Sequence, residues 1–183
     1  MANIIFITGG SRSGKSGHGQ AFAEAVAGPR VYIATCPVVD GEMAARIEKH
    51  RAQRQASDWQ TIEEPLDLAG ALRETKESSV RLIDCLTLWI NNLLYEAEKQ
   101  NQGITEDDIA RLCAELLAVC AGLPGEVIFI ANEVGMGIVP DNPLSRRFRD
   151  LAGRCNQIMA AGADRVILMV CGLPLEIKNN QLL

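Results

Sequence analysis

The amino-acid sequence predicts an α/β protein whose mainly parallel sheet carries helices on both faces. Short apolar segments rich in β-branched residues alternate along the chain with longer segments that have the composition and periodicity of helices. The strand segments are apolar throughout, which is typical of strands buried on both faces. A chain of 183 residues, 48% of them hydrophobic, is long enough to bury one core and short for two. We therefore expect a single domain over residues 1–183.

The first half of the chain begins with a strand, a glycine-rich loop and a helix. The strand NIIFIT is stopped by a glycine pair, and the helix predicted over residues 15–27 ends before a Gly-Pro pair. RVYIAT repeats the strand pattern, and Asp40 is a candidate N-cap for a helix over about residues 41–54. DWQTIEE then predicts a strand or extended piece, LDLAGALRETK a helix, and VRLIDC the next strand.

The second half continues the alternation. LTLWINNLLYEAEK predicts a long amphipathic helix. Thr105 and Asp108 form a capping box in which Asp replaces the usual Glu, and they predict a helix through Ala121. EVIFIAN is the most strand-like segment of the chain, and a helix over about residues 143–161 follows it. DRVILMV then predicts a strand, and LPLEIK a short last one.

Composition and charge favour a small ligand over a macromolecular one. The net charge of −5 and the isoelectric point near 5.1 argue against binding to nucleic acid or to anionic lipid, since both would be repelled. The N-terminal segment has no basic start, and no segment reaches the roughly 18 apolar residues that a membrane span needs. We expect a cytoplasmic protein with no signal peptide and no membrane segment.

The six cysteines are predicted to be reduced and mostly buried. They include no C-x-x-C pair, and no histidine lies at metal-ligand spacing from any of them. Cys113 and Cys120 are seven residues apart in a helical segment, so we expect both to face the core.

The segment GGSRSGKS, residues 9–16, has the spacing of a phosphate-binding loop and lies between a predicted strand and a predicted helix. Glycines allow the backbone to turn its N–H groups toward phosphate oxygens, and the start of the helix adds partial positive charge. Lys15 would reach the outer phosphates and stabilise charge on the γ-phosphoryl group, and the Ser16 hydroxyl would bind Mg²⁺. The alternative is a glycine-rich turn that happens to precede a helix.

Two carboxylates end predicted strands, where parallel sheets place their ligand sites. Asp84 ends VRLID and is a candidate for orienting Mg²⁺ or its water. Its alternative role is an ordinary helix N-cap. Glu133 follows EVIFIAN and is a second candidate, with a structural role in its loop as the alternative.

The two histidines have different surroundings in the sequence. His18 falls in the first turn of the helix after the glycine loop, where a partly buried polar residue is the simpler interpretation. His50 lies four residues from both Arg46 and Arg54, so the three share one side of a predicted helix. Neighbouring guanidinium groups disfavour a charged imidazole, which would leave His50 a neutral nucleophile beside a phosphate-attracting surface. The residues alone favour the plainer interpretation of a solvated basic helix face.

Taken together, several segments resemble the bifunctional adenosylcobinamide kinase/adenosylcobinamide-phosphate guanylyltransferases of cobalamin biosynthesis. They are FITGGSRSGKS, VYIATC, DGEMAARIEKHRAQR, LIDCLTLWINNLL, NEVGMGIVPDNPLSRRFRDLAGRCNQ and GLPLEIK. The resemblance extends from the first predicted strand to the last. It implies that ATP or GTP phosphorylates the aminopropanol hydroxyl of adenosylcobinamide. GMP from GTP is then transferred to that phosphate through a guanylylated histidine.

The resemblance also implies roles for individual residues. His50 would be the guanylylated histidine, with Mg²⁺ at Ser16 and Asp84. The implied nucleotide contacts are Gly9, Gly10, Ser11, Arg12, Ser13, Gly14, Lys15, Ser16, Ala34, Thr35, Cys36, Arg51, Ala52, Gln53, Arg54, Glu63 and Asp84. It further implies a fold similar to RecA-type P-loop proteins and association as a homotrimer.

Two features depart from the family pattern. Many members carry Glu at the position of Asp84, and Gly17 and Gly19 replace larger residues, which should weaken the helix by roughly 1 kcal/mol each. Two other functions stay open at this point. One is a single-activity P-loop kinase of another small metabolite, in which His50 is a surface residue. The other is a non-catalytic nucleotide-binding regulatory module.

Overall fold

The computed structural model describes residues 1–37 and 58–180. Its strands are β1 (Asn3–Gly9), β2 (Arg30–Ala34), β3 (Trp59–Glu63), β4 (Val80–Asp84), β5 (Glu126–Ile130), β6 (Arg165–Val170) and β7 (Leu173–Asn179). Its helices are α1 (Lys15–Glu24), α2 (Leu68–Arg73), α3 (Leu86–Lys99), α4 (Glu106–Ala121) and α5 (Pro143–Gly162). Every predicted strand and helix in these ranges is present. The helix predicted over about residues 41–54 lies outside the described residues.

The strands form one sheet in the order β3-β2-β4-β5-β1-β6-β7. The first six strands are parallel, and only β7 is antiparallel, paired with β6 at the edge. The prediction of a mainly parallel sheet is therefore confirmed. Because the strands are parallel, β1, β2, β4 and β5 all end at the same edge of the sheet, which is where such folds bind ligands.

Helices cover both faces of the sheet, as predicted. On β1, Ile4 and Phe6 belong to a cluster shared with α2 to α5, whereas Ile5 and Ile7 belong to a second cluster that includes Ala23 of α1. All four side chains are buried. This two-sided burial explains why the strand sequence is apolar throughout rather than alternating.

Helix α1 ends at Glu24, three residues before the predicted end. The guanidinium of Arg30, at the start of β2, donates to the carbonyl oxygens of Ala23, Glu24 and Val26 at 3.3, 3.1 and 3.1 Å. A charged donor from outside the helix thus satisfies the last carbonyls, which would otherwise need further helical turns or water. The sequence pattern of the helix itself contains no sign of this contact.

The capping box of α4 and the state of the cysteines are as predicted. The Thr105 hydroxyl accepts from Asp108 N at 3.2 Å, and Asp108 Oδ2 accepts from Thr105 N at 3.0 Å. All six cysteines are free thiols, and four of them are buried. Cys113 and Cys120 both face the core, and Cys113 Sγ lies 3.5 Å from Cys155 Sγ.

No helix in residues 1–37 and 58–180 combines the length and the apolar character needed to cross a bilayer.

Gly17 and Gly19 of α1 have different surroundings. A Cβ at Gly19 would lie 2.8 Å from Ile130 Cδ1 and 3.1 Å from Leu82 Cδ1, so glycine allows α1 to pack closely on β4 and β5. A Cβ at Gly17 would meet nothing within 4 Å. Packing against the sheet therefore explains why position 19 is glycine, although glycine weakens the helix. No such contact explains the glycine at position 17.

We expect Gly17→Ala to raise the free energy of unfolding by about 0.5–1 kcal/mol, because alanine favours the helix at no steric cost. Gly19→Ala should instead lower it by about 1 kcal/mol, since overpacking outweighs the same gain in helix propensity. Urea denaturation of the two variants and the wild type measures both effects. Equal stabilisation by the two substitutions would contradict the packing described for α1.

Candidate nucleotide-binding site

The glycine-rich loop connects β1 to α1 at the carboxyl edge of the sheet. Gly9, Arg12 and Gly14 have φ angles of 148°, 58° and 96°, so the chain turns through conformations that favour glycine. A Cβ at Gly9 would collide with the carbonyl oxygen of Met169 on β6. The loop therefore depends on glycine at position 9 both for its backbone angle and for its close contact with the neighbouring strand.

Both neighbouring strands hold this loop in place. On one side the Gly9 carbonyl accepts from Glu133 N, just after β5, at 2.9 Å. On the other side the Ser13 carbonyl accepts from Gly172 N, just after β6, at 3.1 Å. The loop is thus hydrogen-bonded to the chain on either side, next to the ends of β5 and β6.

The first turn of α1 is open to an anion. Its N-cap is Gly14, which has no side chain to cap the helix, and the first turn contains no acidic residue. The first N–H groups of a helix have no partner within the helix and carry partial positive charge. This is the arrangement that binds phosphate groups in proteins.

Lys15 places a second positive charge inside the loop. Its side chain is buried, and Nζ donates to Gly10 O at 2.6 Å and to Ser13 Oγ at 3.4 Å. Burial lowers the pKa of Lys15, and the negative charge of Asp84 opposes that shift. Asp84 ends β4 in register with Ile130 of β5, which is in register with Ile7 of β1, so this carboxylate lies at the same edge of the sheet as the loop.

Asp84 is fixed by a hydrogen bond from the adjacent strand. Tyr32 of β2 donates its hydroxyl to Asp84 Oδ2 at 3.0 Å. The N-cap of α3 is Cys85, which makes no side-chain cap bond, so the alternative interpretation of Asp84 as the helix cap is wrong. Burial raises the pKa of the Cys85 thiol to about 12, and Cys85 is accordingly a neutral packing residue.

The residues present suit Mg²⁺ held mainly by a triphosphate. Residues 1–37 and 58–180 contain no group of three His, Cys, Asp or Glu side chains that could bind a metal by themselves. Mg²⁺ commonly binds one or two protein oxygen ligands together with substrate phosphates and water. The hydroxyl of Ser16 and the carboxylate of Asp84, at the start of α1 and the end of β4, match that need.

Two further strand ends, those of β2 and β3, lie beside the end of β4 at this edge. Ala34 of β2 is in register with Asp84 of β4 and with Glu63 of β3. Thr35 Oγ1 accepts from Cys85 N and donates to Cys85 O, both at 2.8 Å. The structure thus brings the predicted residues 34–36, Glu63 and Asp84 to one edge of the sheet.

Several side chains that hold this edge together were missed by the sequence analysis. Asn92 of α3 donates to Thr35 O at 2.8 Å, and the Thr87 hydroxyl accepts from Asn132 N at 2.6 Å. Tyr32, described above, belongs to the same set. A buried asparagine and threonine on the apolar side of an amphipathic helix are the signal that could have indicated them, because buried polar groups need partners.

The remaining predicted residues are Glu133, His18 and the segment 50–54. Glu133 Oε1 accepts from Gly135 N at 2.9 Å, which is the structural role in the loop. His18 is half-buried in the first turn of α1. The predicted site residues outside the described ranges are His50, Arg51, Ala52, Gln53 and Arg54.

This fold and this loop define a nucleotide-binding protein of the P-loop class. The chain is similar in structure to a prototypical ATPase from the type III secretion system of pathogenic bacteria, with a TM-score of 0.53 and 12% identity over 91% of this chain. This chain covers 50% of the length of that protein. It is similar in the same way to the KaiC-like protein PH0186 from Pyrococcus horikoshii OT3, with a TM-score of 0.53 and 15% identity over 91% of this chain and 71% of the other. These likenesses confirm the predicted fold.

Residues 5–177 match the family described as cobinamide kinase / cobinamide phosphate guanyltransferase, and the chain belongs to that family. It is 40% identical to the bifunctional adenosylcobalamin biosynthesis protein CobU of Escherichia coli (strain K12), over 96% of this chain and 99% of that protein. It is 44% identical to the bifunctional adenosylcobalamin biosynthesis protein CobP of Pseudomonas aeruginosa, over 96% of this chain and 98% of that protein. It is 42% identical to the CobU of Salmonella typhimurium, over 96% of this chain and 99% of that protein. The predicted family, and with it the prediction of a bifunctional kinase and guanylyltransferase, is confirmed.

Replacing Lys15 should change how stability depends on pH. Because burial lowers the pKa of Lys15 below its ordinary value of 10.5, the unfolded chain holds this proton more tightly than the folded chain. Wild-type stability therefore gains from this group as pH rises from the folded pKa toward 10.5. Methionine does not titrate, so Lys15→Met does not gain this stability. Its free energy of unfolding, relative to that of the wild type, should therefore fall as pH rises over that range.

Urea denaturation of the nucleotide-free protein between pH 7 and pH 10 measures this difference, with Lys76→Met, at an exposed lysine, as the matched control. A difference between Lys15→Met and wild type that stays constant with pH would contradict the buried position of the ammonium group.

Tyr32→Phe removes the hydroxyl that fixes Asp84 and keeps the aromatic ring, which packs edge-on against Trp59 at 6.1 Å. We expect the Mg²⁺ concentration for half-maximal phosphoryl transfer to rise by about 10- to 100-fold, the usual effect of losing a residue that orients a metal ligand. Tyr95→Phe, on the exposed side of α3, is the control. An unchanged Mg²⁺ dependence in Tyr32→Phe would show that this contact does not serve the metal site.

Proposed function

We propose that this enzyme phosphorylates adenosylcobinamide and then transfers GMP to the phosphate that it has made. The observation that carries the proposal is the loop of residues 9–16, which contains a buried lysine, precedes a helix without a side-chain cap and lies at the same edge of the sheet as Asp84. A site built this way binds a triphosphate. Family membership then identifies the acceptor as a corrinoid.

In the first reaction the aminopropanol hydroxyl of adenosylcobinamide attacks the γ-phosphorus of ATP or GTP. A new P–O bond forms, the bond from the γ-phosphorus to its bridging oxygen breaks, the nucleoside diphosphate leaves, and the hydroxyl proton is released. Lys15 and the loop amides stabilise the charge that develops on the γ-phosphoryl oxygens. Ser16 and Asp84 would hold Mg²⁺, which would supply positive charge to the phosphates.

The nucleoside portion is proposed to bind along the edge toward β3. In the sheet, β5 and β4 lie between β1, which bears the loop, and β2. The ends of β1 and β2 are therefore roughly 14 Å apart, at about 4.8 Å per strand. An extended nucleotide bound at the loop reaches that far. We therefore propose that Ala34, Thr35, Cys36 and Glu63 contact the sugar or the base, and that residues 51–54 contribute further contacts.

In the second reaction a neutral His50 attacks the α-phosphorus of GTP. A P–N bond forms, the bond to the β-phosphate oxygen breaks, and pyrophosphate leaves. A phosphate oxygen of adenosylcobinamide phosphate then attacks the same phosphorus, the P–N bond breaks, and adenosylcobinamide-GDP is released with His50 regenerated. The support for His50 is its sequence setting between Arg46 and Arg54 together with the family match.

We also propose, from the family resemblance, that the enzyme is a cytoplasmic homotrimer. Sedimentation equilibrium at several protein concentrations measures the oligomeric state. A mass of one or two chains at all concentrations would contradict the trimer.

The decisive test of the second reaction uses GTP labelled at the α-phosphate. After incubation with Mg²⁺ and denaturation, the wild type should retain label that is lost in acid and stable in base, as a phosphoramidate is. His50→Ala should retain none. His18→Ala, which removes the only other histidine, is the matched control and should label normally.

The same experiment separates this proposal from its rivals. GTP binding without label in the wild type, together with intact phosphoryl transfer in His50→Ala, would indicate a single-activity kinase. GTP binding without turnover of any corrinoid would indicate a regulatory nucleotide-binding module.

A further inference from the structure

A polar cavity of about 520 Å³ lies between the loop after β5 and one side of α5. Gly135, Gly137 and Val139 line it from the loop, and Arg149, Gly153 and Arg154 line it from the helix. None of these residues belongs to the nucleotide site described above. The two glycines and Gly153 leave the cavity open, because they have no side chains to fill it.

The cavity adjoins the phosphate end of the nucleotide site. Glu133 N donates to Gly9 O of the phosphate loop at 2.9 Å, and Gly135 follows two residues later, within about 7 Å of extended chain. Asn156 of α5 donates to Asn132 O at 3.2 Å, which ties the helix to the start of the same loop. A molecule in the cavity would therefore lie beside the phosphates of the bound nucleotide.

Arg154 gives the cavity a positive charge with no partner. It is half-buried, and no hydrogen bond or ion pair joins it to any residue in the described part of the chain. Other arginines of α5 are engaged: Arg146 donates to the carbonyls of Pro140 and Asp141, and Arg147 donates to Ile104 O. A partly buried guanidinium normally has hydrogen-bond partners, so Arg154 is suited to an anionic ligand.

The other charged groups around the cavity do not neutralise the positive charge of Arg154. Arg149 and Asp150 lie 3.8 Å apart and largely offset each other. Glu106, the remaining carboxylate, is exposed at the start of α4, where the helix N-terminus favours a negative charge.

The loop that forms one wall also exposes apolar side chains. Met136 is 80% exposed and Ile138 95% exposed, although both belong to a short loop beside the site. Apolar groups exposed beside a polar cavity are suited to a ligand that is large, partly apolar and anionic at one end. A corrinoid carrying a phosphate has those properties.

We propose that this cavity is the acceptor subsite, in which Arg154 binds the phosphate of adenosylcobinamide phosphate and the loop of residues 134–139 covers part of the corrin ring. The inference rests on the proposed function, because it takes the acceptor from there. It assigns to the enzyme a second phosphate-binding position, distinct from the loop of residues 9–16.

The test is equilibrium dialysis of adenosylcobinamide phosphate, followed by the visible absorbance of the corrinoid, so that it does not depend on turnover. Arg154→Gln should weaken binding of this probe at least tenfold. Arg154→Lys should retain part of the affinity, because it keeps the charge and loses the planar pair of donors. Arg111→Gln, on an exposed arginine of α4 that pairs with Asp108, is the matched control.

The same variants are titrated with GTP to separate the outcomes. Weaker binding of the corrinoid phosphate with GTP affinity within twofold of wild type supports the acceptor subsite. Unchanged corrinoid affinity in Arg154→Gln overturns it, and so does a matching loss of GTP affinity, which would assign Arg154 to the nucleotide instead. A wild type that binds GTP and no corrinoid would overturn the proposed function as well as this inference.

Discussion

The site depends on one interaction, the hydrogen bond from the buried Lys15 ammonium to the carbonyl of Gly10 at 2.6 Å. It holds a positive charge inside a loop whose backbone angles favour glycine, and burial makes that charge costly, as the lowered pKa of Lys15 shows. We propose that a phosphate group of the nucleotide supplies the negative charge that the loop lacks. Nucleotide binding would then recover the energetic cost of holding Lys15 in place without a ligand.

The parallel sheet makes this arrangement possible. Because β1, β2, β4 and β5 run in the same direction, the phosphate loop, Thr35 and Asp84 come to one edge of the sheet. Polar contacts between neighbouring elements then fix each strand end: Thr35 with Cys85, and Thr87 with Asn132. These contacts join residues 45 or more positions apart in the chain, so the geometry of the site is a property of the whole fold.

The fold was largely predictable because its signals are local. Apolar strands, the capping box at Thr105 and the glycine loop each depend on a few adjacent residues, and the structure contains them all. The end of α1 was predicted too late because Arg30, from the next strand, takes its last carbonyls. The pairing of Tyr32 with Asp84, and the lack of a partner for Arg154 among residues 1–37 and 58–180, were equally unpredictable, because both depend on which elements meet in space. His50 became a candidate nucleophile mainly through the family resemblance.

The central claim is that one loop, residues 9–16, holds the triphosphate opposite Asp84. A crystal structure of the enzyme with Mg²⁺ and a GTP analogue that cannot be hydrolysed tests it most directly. The account predicts phosphate oxygens on the amides at the start of α1, Lys15 Nζ moved from Gly10 O to a phosphate, and Mg²⁺ within reach of Ser16 and Asp84. A triphosphate bound elsewhere on the protein, with Lys15 still hydrogen-bonded to Gly10, would contradict it.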